Sequence, residues 1–289
     1  MTFTTGEADL RKENISKIVT GFALANYKMK SLCMVQSSAA WKETYFQETA
    51  ADLTNSASAV EGVPRLAGFP LGEVSWTEHS KRHKKHGMEG VISYEDKRTN
   101  DIDVISRTLL RIGRAIAKSV DADIWDTISE NRTGSLTNKV TITAGYEWDS
   151  NTIANRDPIK DILHAIRLIQ DDNYDAFNGG HLLLSPTDFQ NMLGNANIRN
   201  AGEFWTSDVT KNGKVGRICG LPIIVDKNIT ADWAAVVIAK EACTWKSVVG
   251  LTVQTIEDPG IKTTIRAWEI GVAQLKNPEA VCLIYNTQK

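Results

Sequence analysis

The strongest pattern in the chain is a set of apolar residues recurring every three or four positions: Ile105, Leu109, Ile112, Ile116, Val120, Ile124 and Ile128. It predicts one helix from about residue 101 to 131, about 45 Å long at 1.5 Å per residue, with Gly134 just past its end. A second amphipathic helix is expected over residues 8–32, where Leu10, Ile15, Ile18, Val19, Phe22 and Ala25 repeat after Thr5 at the N-cap position and the first-turn acids Glu7 and Asp9. A third covers Pro158–Asp172. The periodicity fails over Ala50–Gly72, which is rich in Ala, Ser, Thr and Gly and broken by Pro64 and Pro70. Unstructured loops longer than about 12–15 residues are uncommon inside a compact domain, so this segment is expected to be an arm, a lid or a partner-bound strap.

Strand signals dominate elsewhere. Val74–Thr77 and Gly90–Tyr94 flank a basic run, Lys81 to His86, and suggest a long polar hairpin. The second half alternates: a buried strand at His181–Ser185, a short helix after Pro186, a hairpin-like unit over Lys214–Val225, then strands at Ala234–Ala239, Leu251–Ile256, Ile261–Val272 and Ala280–Tyr285. Asp258-Pro259-Gly260 and Asn277-Pro278 supply turns. The fold class is α+β.

Composition narrows this picture mainly by exclusion. The 289 residues are 42% hydrophobic, enough for a sizeable core, and 33 basic against 35 acidic residues leave no global field that would select nucleic acid or an anionic membrane. The longest apolar run, Ala234–Ala239, falls far short of the roughly 20 residues of a membrane-spanning helix, and the N-terminus carries no signal-peptide pattern. A soluble chain without a membrane partner is expected. Cys33, Cys219, Cys243 and Cys282 stand far apart without a C-x-x-C pair, and are read as reduced thiols in a cytoplasmic setting.

Motifs for catalysis or cofactors are missing: no phosphate loop, no G-x-S-x-G and no H-E-x-x-H occurs. His79, His83 and His86 with Glu89 are the best metal candidates, but Gly87 and strand-like flanks favour a solvated strand edge instead. Trp76 and Tyr94 beside the basic run give only weak support for nucleic-acid contact there. Asp121, Asp123 and Asp126 on the long helix are read as solvated, and the tryptophans, including Trp205, Trp233, Trp245 and Trp268, as core and interface anchors. No catalytic, metal or cofactor-binding residue is assigned, and no cofactor is expected.

Taken in order, the elements from about residue 55 to 285 resemble the major capsid protein of tailed viruses, the Hong Kong 97-type fold. Val63-Pro64-Arg65 through Phe69-Pro70, then Lys85-His86-Gly87 and Ile92–Asp96, look like the family's extended E-loop returning into its peripheral domain. The long helix resembles the spine helix, and Leu182–Phe189 and Ile218–Val225 are similar to the axial domain's strand-helix unit and G-x-P strand. Ile265-Arg266-Ala267-Trp268-Glu269-Ile270-Gly271 to Asn277–Val281 resembles the closing peripheral strands and is the most specific part.

The resemblance implies an N-terminal arm over residues 1–54, an E-loop over 55–95, a peripheral domain with the spine helix over 96–140, an axial domain over 141–240 and returning peripheral strands over 241–289. It implies a non-enzymatic virion protein, assembled in the host cytoplasm through pentamers and hexamers into an icosahedral shell around double-stranded DNA. Scaffolding, portal and decoration proteins are implied partners; no scaffolding-like segment precedes the arm, so scaffolding is expected to be separate, dispensable or cleaved. Leu66, Phe69 and Leu71 are expected to dock on a neighbouring subunit, because apolar residues in a Pro/Gly-rich arm have no evident core of their own to join. Two alternatives stand beside this reading: an encapsulin-like nanocompartment shell, and a soluble α/β enzyme without a linear motif, with Asp171, His164 and Glu203 as candidates.

Overall fold

The computed structural model describes residues 12–48, 62–69, 76–99, 104–129, 138–195, 198 and 216–289. In chain order, helix α1 (Lys12–Asn26) leads through a 3-10 turn to strands β1 (Met34–Ser37) and β2 (Lys42–Glu48). Strands β3 (Trp76–Arg82) and β4 (Lys84–Ser93), the short helix α2 (Tyr94–Thr99) and the long helix α3 (Val104–Ile128) follow. Then come β5 (Lys139–Thr141), helix α4 (Pro158–Asp171), β6 (Gly180–Leu184) and helix α5 (Pro186–Gly194). The remainder is strand: β7 (Arg217–Ile218), β8 (Leu221–Val225), β9 (Trp233–Ile238), β10 (Cys243–Asp258), β11 (Lys262–Leu275) and β12 (Val281–Tyr285).

The chain folds into two compact units, each assembled from three stretches of sequence. The first comprises Met1–Glu43, Lys81–Asp126 and Trp245–Gln274. Its sheet has the order β1-β10-β11-β4, with β11 and β4 antiparallel from Lys262 opposite Ser93 to Gly271 opposite Lys84. Alternation along β4 turns His86 and Ile92 inward, where the ring Nδ1 of His86 meets the Ser119 hydroxyl of α3 at 2.9 Å. Leu109, Ile112, Ile116, Val120 and Ile124 are all buried, as their spacing predicts. Helix α1 approaches α3 at Gly113, where an added Cβ would lie 3.1 Å from the Phe22 Cβ and 3.2 Å from the Ala23 nitrogen.

The second unit comprises Thr44–Ser80, Thr127–Thr244 and Leu275–Lys289. Its mixed sheet has the order β5-β12-β9-β6-β8-β7. The central strands are apolar on both faces, with Leu182, Leu183 and Leu184 of β6 and Ala234–Val237 of β9 all buried. Helix α4 begins with Pro158 behind Asp157, whose side chain accepts from the Lys160 N–H at 3.2 Å; α5 begins with Pro186 behind Ser185, whose hydroxyl accepts from the Asp188 N–H at 3.1 Å. The hairpin β7–β8 turns on Cys219 (φ 49°) and Gly220 (φ 80°), the paired positive φ values of a type I′ turn.

Three sequence expectations need correction here. The long polar hairpin over residues 74–94 does not form: β3 pairs with β2, whereas β4 pairs with β11. Only His83 separates β3 from β4, and a reversal needs at least two turn residues, so the chain runs on and changes partner while the His83 N–H donates to the Trp41 carbonyl at 3.1 Å. The helix expected to reach residue 32 ends with its apolar repeat at Asn26, because the N–H groups of Lys28, Met29 and Lys30 are drawn to the carboxylate of Asp121 at 2.8–3.2 Å. The separate strand at Leu251–Ile256 is the outer part of the 16-residue β10.

Candidate assembly surface

Apolar side chains that find no place in the subunit's core are concentrated on its extended segments. In the stretch 62–69, the Ala67 N–H donates to the Pro64 carbonyl at 3.0 Å and closes a turn with Leu66 at φ 72°. A left-handed backbone costs a branched residue about 1–2 kcal/mol, and here it holds Leu66 fully exposed, with Phe69 86% exposed three residues later. Leu71, expected to join them, lies outside the described residues. Trp41, Phe46 and Trp76 on and beside β2 and β3 are also more than half exposed. Trp41 and Phe46 escaped the sequence reading because neither belongs to a sustained apolar period. Exposed aromatics on strands and straps, rather than on a closed core, are what a subunit presents to a partner copy.

Within the first unit, a buried polar network fixes the strand that resembles the family most specifically. Glu269 on β11 is 0% exposed. Its Oε1 accepts the indole N–H of Trp245 at 3.0 Å and an ion-paired hydrogen bond from Lys30, while its Oε2 accepts the Tyr27 hydroxyl at 2.6 Å. Burial, the adjacent Glu269 charge and that hydrogen bond together hold the Tyr27 phenol well above its ordinary pKa. Asp121 receives the three backbone N–H groups after α1, and Asp123 pairs with Lys84. The expectation that Asp121 and Asp123 are solvated is therefore overturned, since both are buried; Asp126 is exposed. A helical period could not show this, because the cover over this part of α3 comes from residues 28–30, some ninety positions away in sequence.

The three histidines do not converge. His79 stacks on Tyr45 with ring centroids 5.7 Å apart, His83 has its side chain enclosed 3.8 Å from Glu43, and His86 lies under α3. No cluster of His, Cys, Asp or Glu suited to a metal ion exists among the described residues. The solvated-edge reading is corrected as well, because the His83 side chain and His86 are buried. Burial disfavours the His86 imidazolium and places its pKa below 6.5. As pH falls through 6.5 the unfolded chain takes up this proton before the folded one, so stability rises with pH across the window just below 6.5. The urea midpoint of the wild type should thus fall more steeply than that of His86→Gln between pH 7 and pH 5; parallel profiles would disprove the assignment.

Among the described residues, the enzyme candidates form no site. His164 and Asp171 are both exposed on α4, where Asp171 pairs with Arg167 at 3.7 Å, and Glu203 lies outside the described residues. Trp125, Trp148 and Trp245 are fully buried core anchors, and Trp205 lies outside the described residues. Cys33, Cys243 and Cys282 are buried, with Cys219 partly exposed. No helix among the described residues is long and apolar enough to cross a membrane.

A family model described as "Phage capsid protein" matches residues 80–284, most of the chain. The chain belongs to the phage capsid protein family. Solved structures agree on the fold. The capsid of the cyanophage P-SCSP1u superposes with a TM-score of 0.66 at 15% identity, covering 90% of this chain and 88% of that one. A phage-related protein from Bordetella bronchiseptica RB50 gives 0.66 at 15%, covering 94% and 96%, and a virus-like particle from Pyrococcus furiosus gives 0.63 at 12%, covering 94% and 98%. A search of curated proteins found no match. The fold is the Hong Kong 97-type capsid fold, and this phage capsid protein is a major capsid protein whose copies associate to form the shell of a virion. Its role is structural.

Proposed function

We propose that this capsid protein assembles through pentamers and hexamers into an icosahedral shell enclosing double-stranded DNA, in the cytoplasm of its host. The observation that carries the reading is the capsid family match over residues 80–284 on a subunit that leaves Leu66 and Phe69 exposed. In this proposal residues 55–95 are the E-loop, α3 is the spine helix of a peripheral domain whose strands return over 241–289, and residues 141–240 are the axial domain. Residues 1–54 act as an arm toward adjacent subunits, and Leu66, Phe69 and Leu71 dock on a neighbour. Separate scaffolding, portal and decoration proteins complete the particle.

The nanocompartment alternative has less support, because the matching family is one of phage capsids. Negative-stain microscopy of the leading peak from size-exclusion chromatography is expected to show ring-shaped capsomers or closed shells. A chain that stays monomeric alone and with its phage's scaffolding protein would refute the proposal, and closed shells filled with an enzyme cargo rather than DNA would return the nanocompartment reading.

A further inference from the structure

Helix α3 carries a second periodic set on the side away from its buried stripe. Arg107, Arg111, Arg114 and Lys118 stand at i, i+4, i+7 and i+11 and are all exposed. At about 100° per residue they share a sector about 60° wide, nearly opposite the buried stripe of Leu109, Ile112 and Ile116. The row is about 16 Å long at 1.5 Å per residue. From Val104 to Val120 the helix has no carboxylate; its first acid, Asp121, is buried and engaged by backbone N–H groups.

Four other cations of the same unit are paired with carboxylates: Lys30 with Glu269, Lys84 with Asp123, Lys246 with Glu43 and Arg266 with Glu89. Arg107, Arg111 and Arg114 form no ion pair with any described residue. Like charges at i, i+4 on a helix cost about 0.2–0.5 kcal/mol per pair, and no described carboxylate pairs with Arg107, Arg111 or Arg114 to offset that cost. In a chain of net charge −2, such a row is a local feature and no by-product of composition.

We infer that this row is a sequence-independent contact for the phosphate backbone of duplex DNA. The inference rests on the capsid reading, which places DNA within reach of the subunit. One strand of duplex DNA presents a phosphate every 3.4 Å along the axis, so about five face a 16 Å row of four cations. Guanidinium groups suit phosphate because their donors form a planar fork that engages two oxygens. Flanking the cations on the same face stand Val104, Leu110, Ala115 and Ala122, whose side chains carry no hydrogen-bonding group for a base edge.

The test is fluorescence anisotropy of a 30-bp duplex with the full-length chain before shell closure, from 50 to 200 mM NaCl. The triple variant R107Q/R111Q/R114Q should lower the slope of log K against log salt by about 2.7, at about 0.9 per phosphate contact. The lysine triple R107K/R111K/R114K should keep most of the slope. R167Q/K227Q/K240Q, which removes the same charge from exposed positions elsewhere, should change it little. If the glutamine triple folds poorly by circular dichroism, Arg111→Gln alone should still lose about 0.9.

An unchanged slope, or an equal loss in the control triple, overturns the inference. Row-dependent binding of poly-glutamate without row-dependent binding of the duplex assigns the row to an acidic protein and also overturns it. The two readings fail separately. A wild type that never assembles counts against the capsid reading, whereas normal shells with an unchanged slope count against the row alone.

Discussion

Phe69→Asp is expected to give a folded subunit that no longer closes shells. Phe69 is 86% exposed and touches little of its own subunit, so the substitution should move the unfolding midpoint by no more than a surface change does, within about 0.5 kcal/mol. Assembly is another matter. A buried aromatic anchor contributes about 2–4 kcal/mol to an interface, which is roughly 30- to 1,000-fold in association, and a closed shell repeats the loss at every copy. Placing a carboxylate in the apolar site that received the ring adds a desolvation penalty. Phe69→Leu should still assemble, and Leu66→Asp should resemble Phe69→Asp. Circular dichroism melts beside negative-stain particle counts separate folding from assembly; normal shells from Phe69→Asp would end the docking proposal.

The second large effect is opposite in kind. Glu269→Ala should cost the subunit about 3–5 kcal/mol, because it strands the Lys30 ammonium, the Trp245 N–H and the Tyr27 hydroxyl around a fully buried position. Against the 5–15 kcal/mol of typical domain stability, that is enough to leave much of the protein unfolded in the cell. Glu269→Gln retains hydrogen-bonding capacity but not the charge, so it should be milder. Arg266→Ala, three positions away on the same strand, breaks an exposed pair with Glu89 and should cost less than about 1 kcal/mol. Urea titrations of the three variants decide it: if Glu269→Ala is no worse than Arg266→Ala, the network does not hold this strand.

Regular, local features were legible in the sequence. The apolar period of α3, the Pro158 and Pro186 helix starts, the hairpin expected within Lys214–Val225 and the alternating strands of the last third all appear close to where their patterns place them. Each depends on neighbours within a turn or a hairpin, so a single stretch of chain contains the whole cause. The family resemblance was legible for a related reason, since it lies in the order of those elements.

What remained hidden was everything set by distant partners. Strands β3 and β4 show the same β pattern whichever strand they join, and only tertiary pairing sent one to β2 and the other to β11. Asp121, Asp123 and His86 look like ordinary polar residues until residues 28–30, Lys84 and Ser119 close over them. Glu269 sits inside the motif that most resembles the family, yet nothing in Ala267-Trp268-Glu269 says that its carboxylate is the buried hub. The sequence by itself thus determined which segments become helix or strand and which apolar residues have no local core to enter. Only the tertiary structure decided which polar groups are buried, because desolvation depends on what the rest of the chain brings within a few ångströms.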